Sequence, residues 1–421
     1  MGQPQPRPNP SGPRRWIVWW FFALLLLVVP QVFDSSLSIT MLSQMGVAII
    51  ACLSYNMLLG QGGMLSFGHA VYTGLGAYLA IHVLNAAANG SLPVPVSLVP
   101  LVGGVAGLGF AVLLGFVTTR KSGTPFAMIT LGLAELVAAM ALMFPGFFGG
   151  EVGVSGNRVM GTPFWGITYG PAIQVYYLIA GYTFVCAALM YAFTRTPLGR
   201  MLNAVRDNAE RVAFIGYNPR QVRYLSFIVA GFFAGVAGGL GALLFEIVTA
   251  DVVGAGRSGA YLLFTFLGGS TLFFGPIVGG VLMVLATVLL SELTKAWLLY
   301  LGLVFVFMVL YAPGGIASLI MLNVRLARQG RLRVLVWDYL ALLASSLLAL
   351  LGAGAIIEMM YHLQLGAAVG DEMRFAGVVL HTRRWGSWLG AICLAATGWA
   401  LFELARRRFA WRWARLQSGT Q

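Results

Sequence analysis

Residues 260 to 292 read AYLLFTFLGGSTLFFGPIVGGVLMVLATVLLSE, with no charge before Glu292. A membrane-crossing helix needs about 20 apolar residues, so this stretch is too long for one crossing. Gly275-Pro276 interrupts it, because proline lacks an N–H and glycine loosens the backbone. Two such pieces suit a re-entrant hairpin or a half-helix leading into a full one, and backbone of that kind survives at membrane depth only when packed in protein or lining a cavity. Two short crossing helices joined by a tight turn are the alternative. The stretch is a candidate lining of a pathway.

The sequence on either side is as apolar. Of 421 residues, 59% are hydrophobic and 9% charged, with a mean hydropathy of +0.85. A soluble domain carries about a quarter charged residues, which excludes a soluble enzyme, a disordered chain and a nucleic-acid binder. Further crossings are expected near 16–33, 37–59, 64–85, 95–118, 125–146, 172–194, 223–248, 297–320, 336–361 and 385–405. The fold class is an all-α membrane protein, a polytopic helical bundle of about ten transmembrane helices with a re-entrant or broken segment. No small-x-small cleavage site follows Pro30, so the first span is expected to be retained.

The net charge of +13 then reads as an orientation signal. Residues 1–15, with Arg7, Arg14 and Arg15, are expected to be disordered and cytoplasmic. Alternation places Arg120 and Lys121, the arginines of 195–223, Arg325, Arg328, Arg331 and Arg333, and finally Arg406, Arg407, Arg408, Arg412 and Arg415 on that same side. This requires 260–292 to begin and end outside and puts both chain ends in the cytoplasm. Arg158, Arg257, Lys295, Arg374, Arg383 and Arg384 fall on the outer side. The last five arginines have a secondary use as a tail facing anionic lipid. Cys52, Cys186 and Cys393 are too far apart for a metal site or disulfide framework, and His69, His82, His362 and His381 are equally scattered. No metal is expected.

Glycines recur within the spans, and Gly235 and Gly239 share a helix face. They are read as sites of close helix approach, with a gating hinge as the alternative. Glu135 is the best embedded acid; a carboxylate in hydrocarbon costs about 2.5–3.5 kcal/mol on insertion scales, so it should face a cavity or partner, or hydrogen-bond to a neighbouring helix. The run Gly60–His69, GQGGMLSFGH, breaks the apolar pattern either as an unwound transporter site for uncharged or zwitterionic substrates or as a turn between helices. Between 195 and 223, Thr196-Pro197 suits a helix start and Gly216 with Asn218-Pro219 a stop. Met201, Val205, Val212 and Ile215 mark one face of a short amphipathic helix. That helix could lie on the membrane or dock a protein.

Four stretches in this order resemble the inner-membrane permease subunits of branched-chain amino acid ABC importers, of the LivM type. They are LGQGGMLSFGHA at 59–70 running on to Gly74-Leu75-Gly76-Ala77-Tyr78; FAMITLGLAE at 126–135; Gly199-Arg200 through Ala204-Val205-Arg206-Asp207 to Gly216; and Gly268-Gly269-Ser270-Thr271 with Gly275-Pro276-Ile277-Val278-Gly279-Gly280. The resemblance spans roughly residues 37–320. It implies a multi-pass pore subunit of a bacterial inner membrane that pairs with a second homologous permease, two ATP-binding subunits and a periplasmic substrate-binding protein. It implies that Gly199, Arg200, Ala204, Arg206, Asp207 and Gly216 belong to the element coupled to the ATPase. Ser66, Gly68, His69, Gly76, Thr130, Glu135, Gly268, Gly269, Gly275 and Pro276 become pathway candidates. The chain itself is expected to bind no cofactor and to catalyse nothing, with ATP and Mg on partner subunits, because both lysines lack the glycine-rich loop that cradles phosphate.

Two departures stand out. Relatives often carry an acid two positions after Asp207, where this chain has Ala209, then Glu210. Residues 331–421 add two spans and an Arg-rich tail with no counterpart in the resemblance, so the expected organisation is an N-terminal segment 1–15, a permease domain 16–330 and an extension 331–421. Apolar amino acids are the expected cargo, with urea or short amides as the alternative. Two other classes remain: an ion-coupled secondary carrier using Glu135, which has few companions along a path, and a membrane enzyme or scaffold built on Asp338, Glu358, His362 and His381.

Overall fold

The computed structural model describes residues 14–160, 168–312, 314–328, 332–365, 372–375 and 378–418. The expected disordered N-terminal segment falls almost wholly outside the described residues. The helices are α1 (Arg14–Val32), α2 (Ser36–Gly62), α3 (His69–Ala88), α4 (Val99–Thr118), α5 (Thr124–Met143), the single turn α6 (Pro145–Phe148), α7 (Ala172–Arg195), α8 (Pro197–Asp207), α9 (Ala209–Phe214) and α10 (Pro219–Phe245). They continue with α11 (Ala255–Gly268), α12 (Gly275–Val284), α13 (Ser291–Leu293), α14 (Trp297–Tyr311), α15 (Gly315–Arg328), α16 (Leu332–Leu365) and α17 (Trp385–Ser418). Two small antiparallel pairs accompany them, β1 (Val154–Ser155) with β2 (Ile247–Val248), and β3 (Glu372–Phe375) with β4 (Val378–His381). Among the described residues nine helices are long and apolar enough to cross a membrane, so the polytopic all-α class is borne out. The chain divides into two units, residues 1–290 with 305–318, and residues 291–304 with 319–421.

In the first unit α10 packs against α2, α3 and α4. Lipid offers no hydrophobic drive for helix association, so contact depends on small residues that let backbones approach. A Cβ on Gly76 would lie 2.6 Å from the Gly235 Cα and 2.8 Å from the Gly103 carbonyl, and one on Gly107 would lie 2.8 Å from the Gly235 Cα. Gly239 meets the Pro100 backbone, so Gly235 and Gly239 do share the face turned to α4. The packing reading holds at these positions.

Several boundaries differ from expectation, each for a local reason. The span expected at 64–85 begins at His69, because α2 ends in a left-handed Gly63 (φ +61°) with Met64 N–H donating to Leu58 (2.9 Å), and residues 64–68 are not helical. The Asn218-Pro219 pair stops α9 but also starts α10, since Asn218 accepts from the Arg220 and Gln221 amides and proline suits a first helical position. The span expected at 297–320 is two helices, broken after Tyr311.

The 260–292 stretch also breaks elsewhere. Gly275-Pro276 opens α12 instead of interrupting a helix, and the turn lies at 269–274. Gly275–Leu293, with a π-helical turn at Leu285–Leu290, is long enough to cross alone. The arm before it, α11, has 14 residues, about 21 Å. Its course follows from its contacts: the Ala70 amide donates to Ser258 Oγ (2.9 Å), Thr265 Oγ1 donates to the Cys52 carbonyl (3.3 Å), and the Ser270 carbonyl lies against Gly60 near the end of α2. Thus α11 is a half-helix that starts inside the bundle, the second of the expected forms.

The second unit is an antiparallel pair, α16 and α17, each 34 residues long where about 20 would cross. Gly352 meets the Ala395 Cα and Gly398 the Ala349 Cα, at 2.7 and 2.6 Å from the built Cβ. At one end Arg412 donates twice to Asp338 (3.1 and 2.9 Å). Near the other, Ala355, Met359 and Ala391 pack with Phe375 and Leu380 of the β3–β4 hairpin and with Trp388 of α17, and the Glu358 carboxylate accepts from Tyr300 Oη (3.3 Å) and Thr294 Oγ1. Asp338 and Glu358 stand 20 residues apart on one helix, about 30 Å. Asp338 therefore does not share a site with Glu358.

Candidate functional site

The glycine-rich run is a packed turn. Gly63 ends α2, the Tyr55 hydroxyl donates to the buried Ser66 carbonyl (2.9 Å), and the Phe67 amide donates to Thr130 Oγ1 (3.1 Å). A Cβ on Gly68 would strike the Thr130 carbonyl, so this residue type lets the turn lie on α5. Ser66, Gly68 and Thr130 are thus brought together. Completely buried, His69 opens α3. Ser54 Oγ donates its one proton to the Ala230 carbonyl (2.7 Å), so it accepts from His69 Nε2 (2.9 Å) and fixes that tautomer. Nδ1 is left a buried acceptor with no partner among the described residues. His69 joins α2, α3 and α10, and it does not line an opening. Gly76 is likewise a packing point, wedged between Gly103 and Gly235.

Beside this turn lies the 195–216 element, which is two helices. Thr196 Oγ1 accepts from the Gly199 amide (3.2 Å) to start α8, and Asn208 Oδ1 accepts from the Arg211 amide (2.9 Å) to start α9. The buried face is Gly199, Leu202, Val205 and Val212, where Leu202 replaces the expected Met201. Ile215, read as part of that face, is instead exposed, next to Phe214 at 89%. Gly199 meets the Phe193 backbone, Ala204 is half-buried, Arg200 and Asp207 are exposed, and Gly216 takes a left-handed φ of +91° with open space around it.

Arg206 ties the two parts. Its guanidinium donates to the Gly60 carbonyl and to Asp207 Oδ1 (3.0 Å), and its stem lies on Gly63. That Gly60 carbonyl belongs to the last turn of α2, which leaves acceptors unpaired. Gly60 in turn abuts Ser270 in the turn of the broken segment. There Gly268 meets Gly275 and Gly279, and Gly315 packs on Gly269 (φ +116°). Pro276 is buried in the first turn of α12. The candidates Gly268, Gly269, Gly275 and Pro276 therefore form one tight turn, linked through Gly60 and Arg206 to α8.

Glu135 stands apart from these. It lies on the exposed side of α5 with Met128, Gly132 and Leu136 and has no hydrogen bond or ion pair among the described residues.

Two placements were not legible in the sequence. Arg158, assigned to the outer side, is a clamp: it donates to Tyr169 (2.8 Å) and to the Leu243 and Leu244 carbonyls (3.0 and 3.2 Å), and stands 3.7 Å from Glu246, at the end of α10 opposite α8. Unpaired carbonyls at a helix end attract such a cation. Arg257, also assigned outside, sits in the first turn of α11, one residue from the buried Ser258 that bonds α3, and its own side chain is exposed.

The family model described as branched-chain amino acid transport system / permease component matches residues 37–313. The chain is similar to the high-affinity branched-chain amino acid transport system permease protein LivM of Salmonella typhimurium strain LT2, at 27% identity over 322 residues, 70% of this chain and 74% of that one. It is also similar to the protein of the same name from Escherichia coli K12, at 26% identity over 292 residues, 64% and 67% of the two chains. No solved structure matches. Residues after 313, including α16 and α17, lie beyond the family match.

Proposed function

The chain belongs to the branched-chain amino acid transport permease family, and on that premise we propose that it is the pore subunit of an ABC importer for branched-chain or other apolar amino acids. ATP is hydrolysed on two separate subunits, a soluble binding protein delivers the cargo, and a second, homologous permease completes the pore in a bacterial inner membrane. Both chain ends face the cytoplasm in this reading, as the arginine distribution asks.

The observation that carries it is the α8–α9 element. It stands outside the spans, ends in the exposed Phe214, Ile215 and Tyr217, and is joined by Arg206 to the turn at the foot of α2. An apolar tip with mixed charges suits a protein groove better than anionic lipid. Movement imposed on α8 reaches Gly60 through the Arg206 guanidinium and passes from Gly60 to the 269–274 turn by backbone contact with Ser270. The exposed carboxylate of Glu135 fits the same assembly, because the neighbouring permease provides the polar cover that lipid withholds.

The test replaces Phe214 and Ile215 by Ser in the co-expressed assembly. Expected is loss of the ATP-binding subunits on purification, or ATP hydrolysis no longer matched by uptake, while the chain still inserts. Unchanged uptake and unchanged subunit recovery would remove the coupling role.

A further inference from the structure

A second polar site lies within the first unit, where the chain leaves α10 and re-enters the bundle. After β2 it forms a 3₁₀ turn, Ala250–Val253. A Cβ on Gly74 would lie 3.2 Å from the Val252 carbonyl, and Val253 is fully buried. Gly74 is two residues from Gly76, which touches Gly235 in the interior of α10. The turn therefore sits deep in the bundle, with about 20 Å of α3 still to run beyond it. Non-helical backbone at that depth occurs only inside protein or beside a water-filled cavity.

One side of this turn packs and the other is open. Asp251, Gly256 and Arg257 are exposed, and the Arg257 guanidinium lies 5.9 Å from the centre of the Tyr261 ring one turn further along α11. Neither Asp251 nor Arg257 has an ion-pair partner among the described residues, and they do not pair with each other. At its N-terminus α11 has no side-chain cap, so the first-turn amides of Ala255, Gly256 and Arg257 are free donors. A separate observation points into the same place. The Tyr78 hydroxyl, one turn above Gly74, is buried without a hydrogen-bond partner among the described residues and lies within electrostatic reach of Asp251.

We infer that Asp251, Arg257, the free amides at the start of α11 and the Tyr78 hydroxyl form a binding site for a zwitterionic α-amino acid inside the membrane. Arg257 and the amides take the carboxylate, where the positive helix end adds to the guanidinium. Asp251 takes the ammonium. Opposite charges left unpaired in low dielectric are costly unless a ligand or water joins them, and a molecule carrying both charges on adjacent atoms satisfies both together. The site rests on the transport reading above and gives it a stopping point halfway along the path.

The test uses the full assembly in proteoliposomes with internal ATP. Wild type must first show ATP-driven amino acid uptake; its absence would count against the transport reading itself. Given uptake, Asp251→Asn and Arg257→Gln are each expected to reduce it about tenfold or more, the loss of a charge-assisted contact, with Asp251→Glu and Arg257→Lys recovering part. A second variant, Gly256→Cys on a Cys393→Ser background, has open space around the new side chain. It is expected to react with a charged, water-soluble thiol reagent and to be protected by amino acid. Uptake within twofold of wild type in both charge variants, or a cysteine that amino acid does not protect, would overturn the site while leaving the transport reading intact.

Discussion

Gly76→Ala tests whether the centre of the bundle depends on backbone contact. The added Cβ would lie 2.6 Å from the Gly235 Cα and 2.8 Å from the carbonyls of both Gly103 and Gly235. All three are backbone atoms, so no side chain can rotate away, and α4 and α10 must withdraw from α3 by several tenths of an ångström. That withdrawal loosens the neighbouring contact of Gly238 with the Thr73 carbonyl. Overpacking costs about 1–3 kcal/mol, and three rigid contacts place this case in the upper half. Alanine returns up to about 1 kcal/mol of helix propensity. The net expectation is a loss of about 1–2 kcal/mol, a factor of about 5–30 in the folded-to-unfolded ratio. Gly132→Ala is the control: it has the same propensity gain and nothing within 4 Å of the new Cβ, so it should be neutral or stabilising in the isolated chain. Unfolding of both variants in mild detergent, followed by circular dichroism against denaturant, gives the comparison. A Gly76→Ala chain as stable as Gly132→Ala would refute the backbone-contact argument.

Two further substitutions probe the polar groups. Ser54→Ala leaves His69 Nε2 and its proton without a partner in a fully buried position, which should cost about 1–3 kcal/mol in the same unfolding measurement; a change under about 0.5 kcal/mol would mean that the ring finds another partner. Glu135→Leu removes a carboxylate that costs about 2.5–3.5 kcal/mol in lipid, so the isolated chain should gain stability while co-purification of the sister permease falls. Equal recovery of the sister with either residue would show that this face of α5 is not covered by it.

Much of this was readable from residue order. Windows of apolar residues gave the spans, because a bilayer demands length and hydrophobicity and little else. The shared face of Gly235 and Gly239 followed from helical spacing and the Thr196 cap from side-chain chemistry, whereas Asn218-Pro219, read as a stop, also caps the start of α10. The break in the pore-lining stretch was misplaced because Gly275-Pro276 reads as a breaker, yet proline is at home in the first turn of a helix. The half-helix α11 was hidden for a different reason. Arg257 and Asp251 lie just past a span, where charge counting assigns residues to an outer loop, and only the contacts of Val252 with Gly74 and of Ser258 with Ala70 reveal that the chain turns back inward. His69 is conspicuous in a glycine-rich run, but its Ser54 partner comes from another helix. Within α8 the buried pair is Leu202 and Val205, three residues apart, where Met201 was expected, and the break at Asn208 resets the helical phase that would have brought Ile215 onto that face.

The central claim is that this chain moves amino acids with energy supplied by ATP on other subunits, and co-reconstitution tests it most directly. The chain, its co-purified permease and its ATP-binding subunits would be placed in vesicles, with ATP inside, and uptake of labelled leucine followed with binding protein outside. The account predicts uptake that requires ATP and binding protein and is indifferent to a collapsed ion gradient. Uptake by the chain alone, without ATP and abolished when the gradient is dissipated, would contradict it.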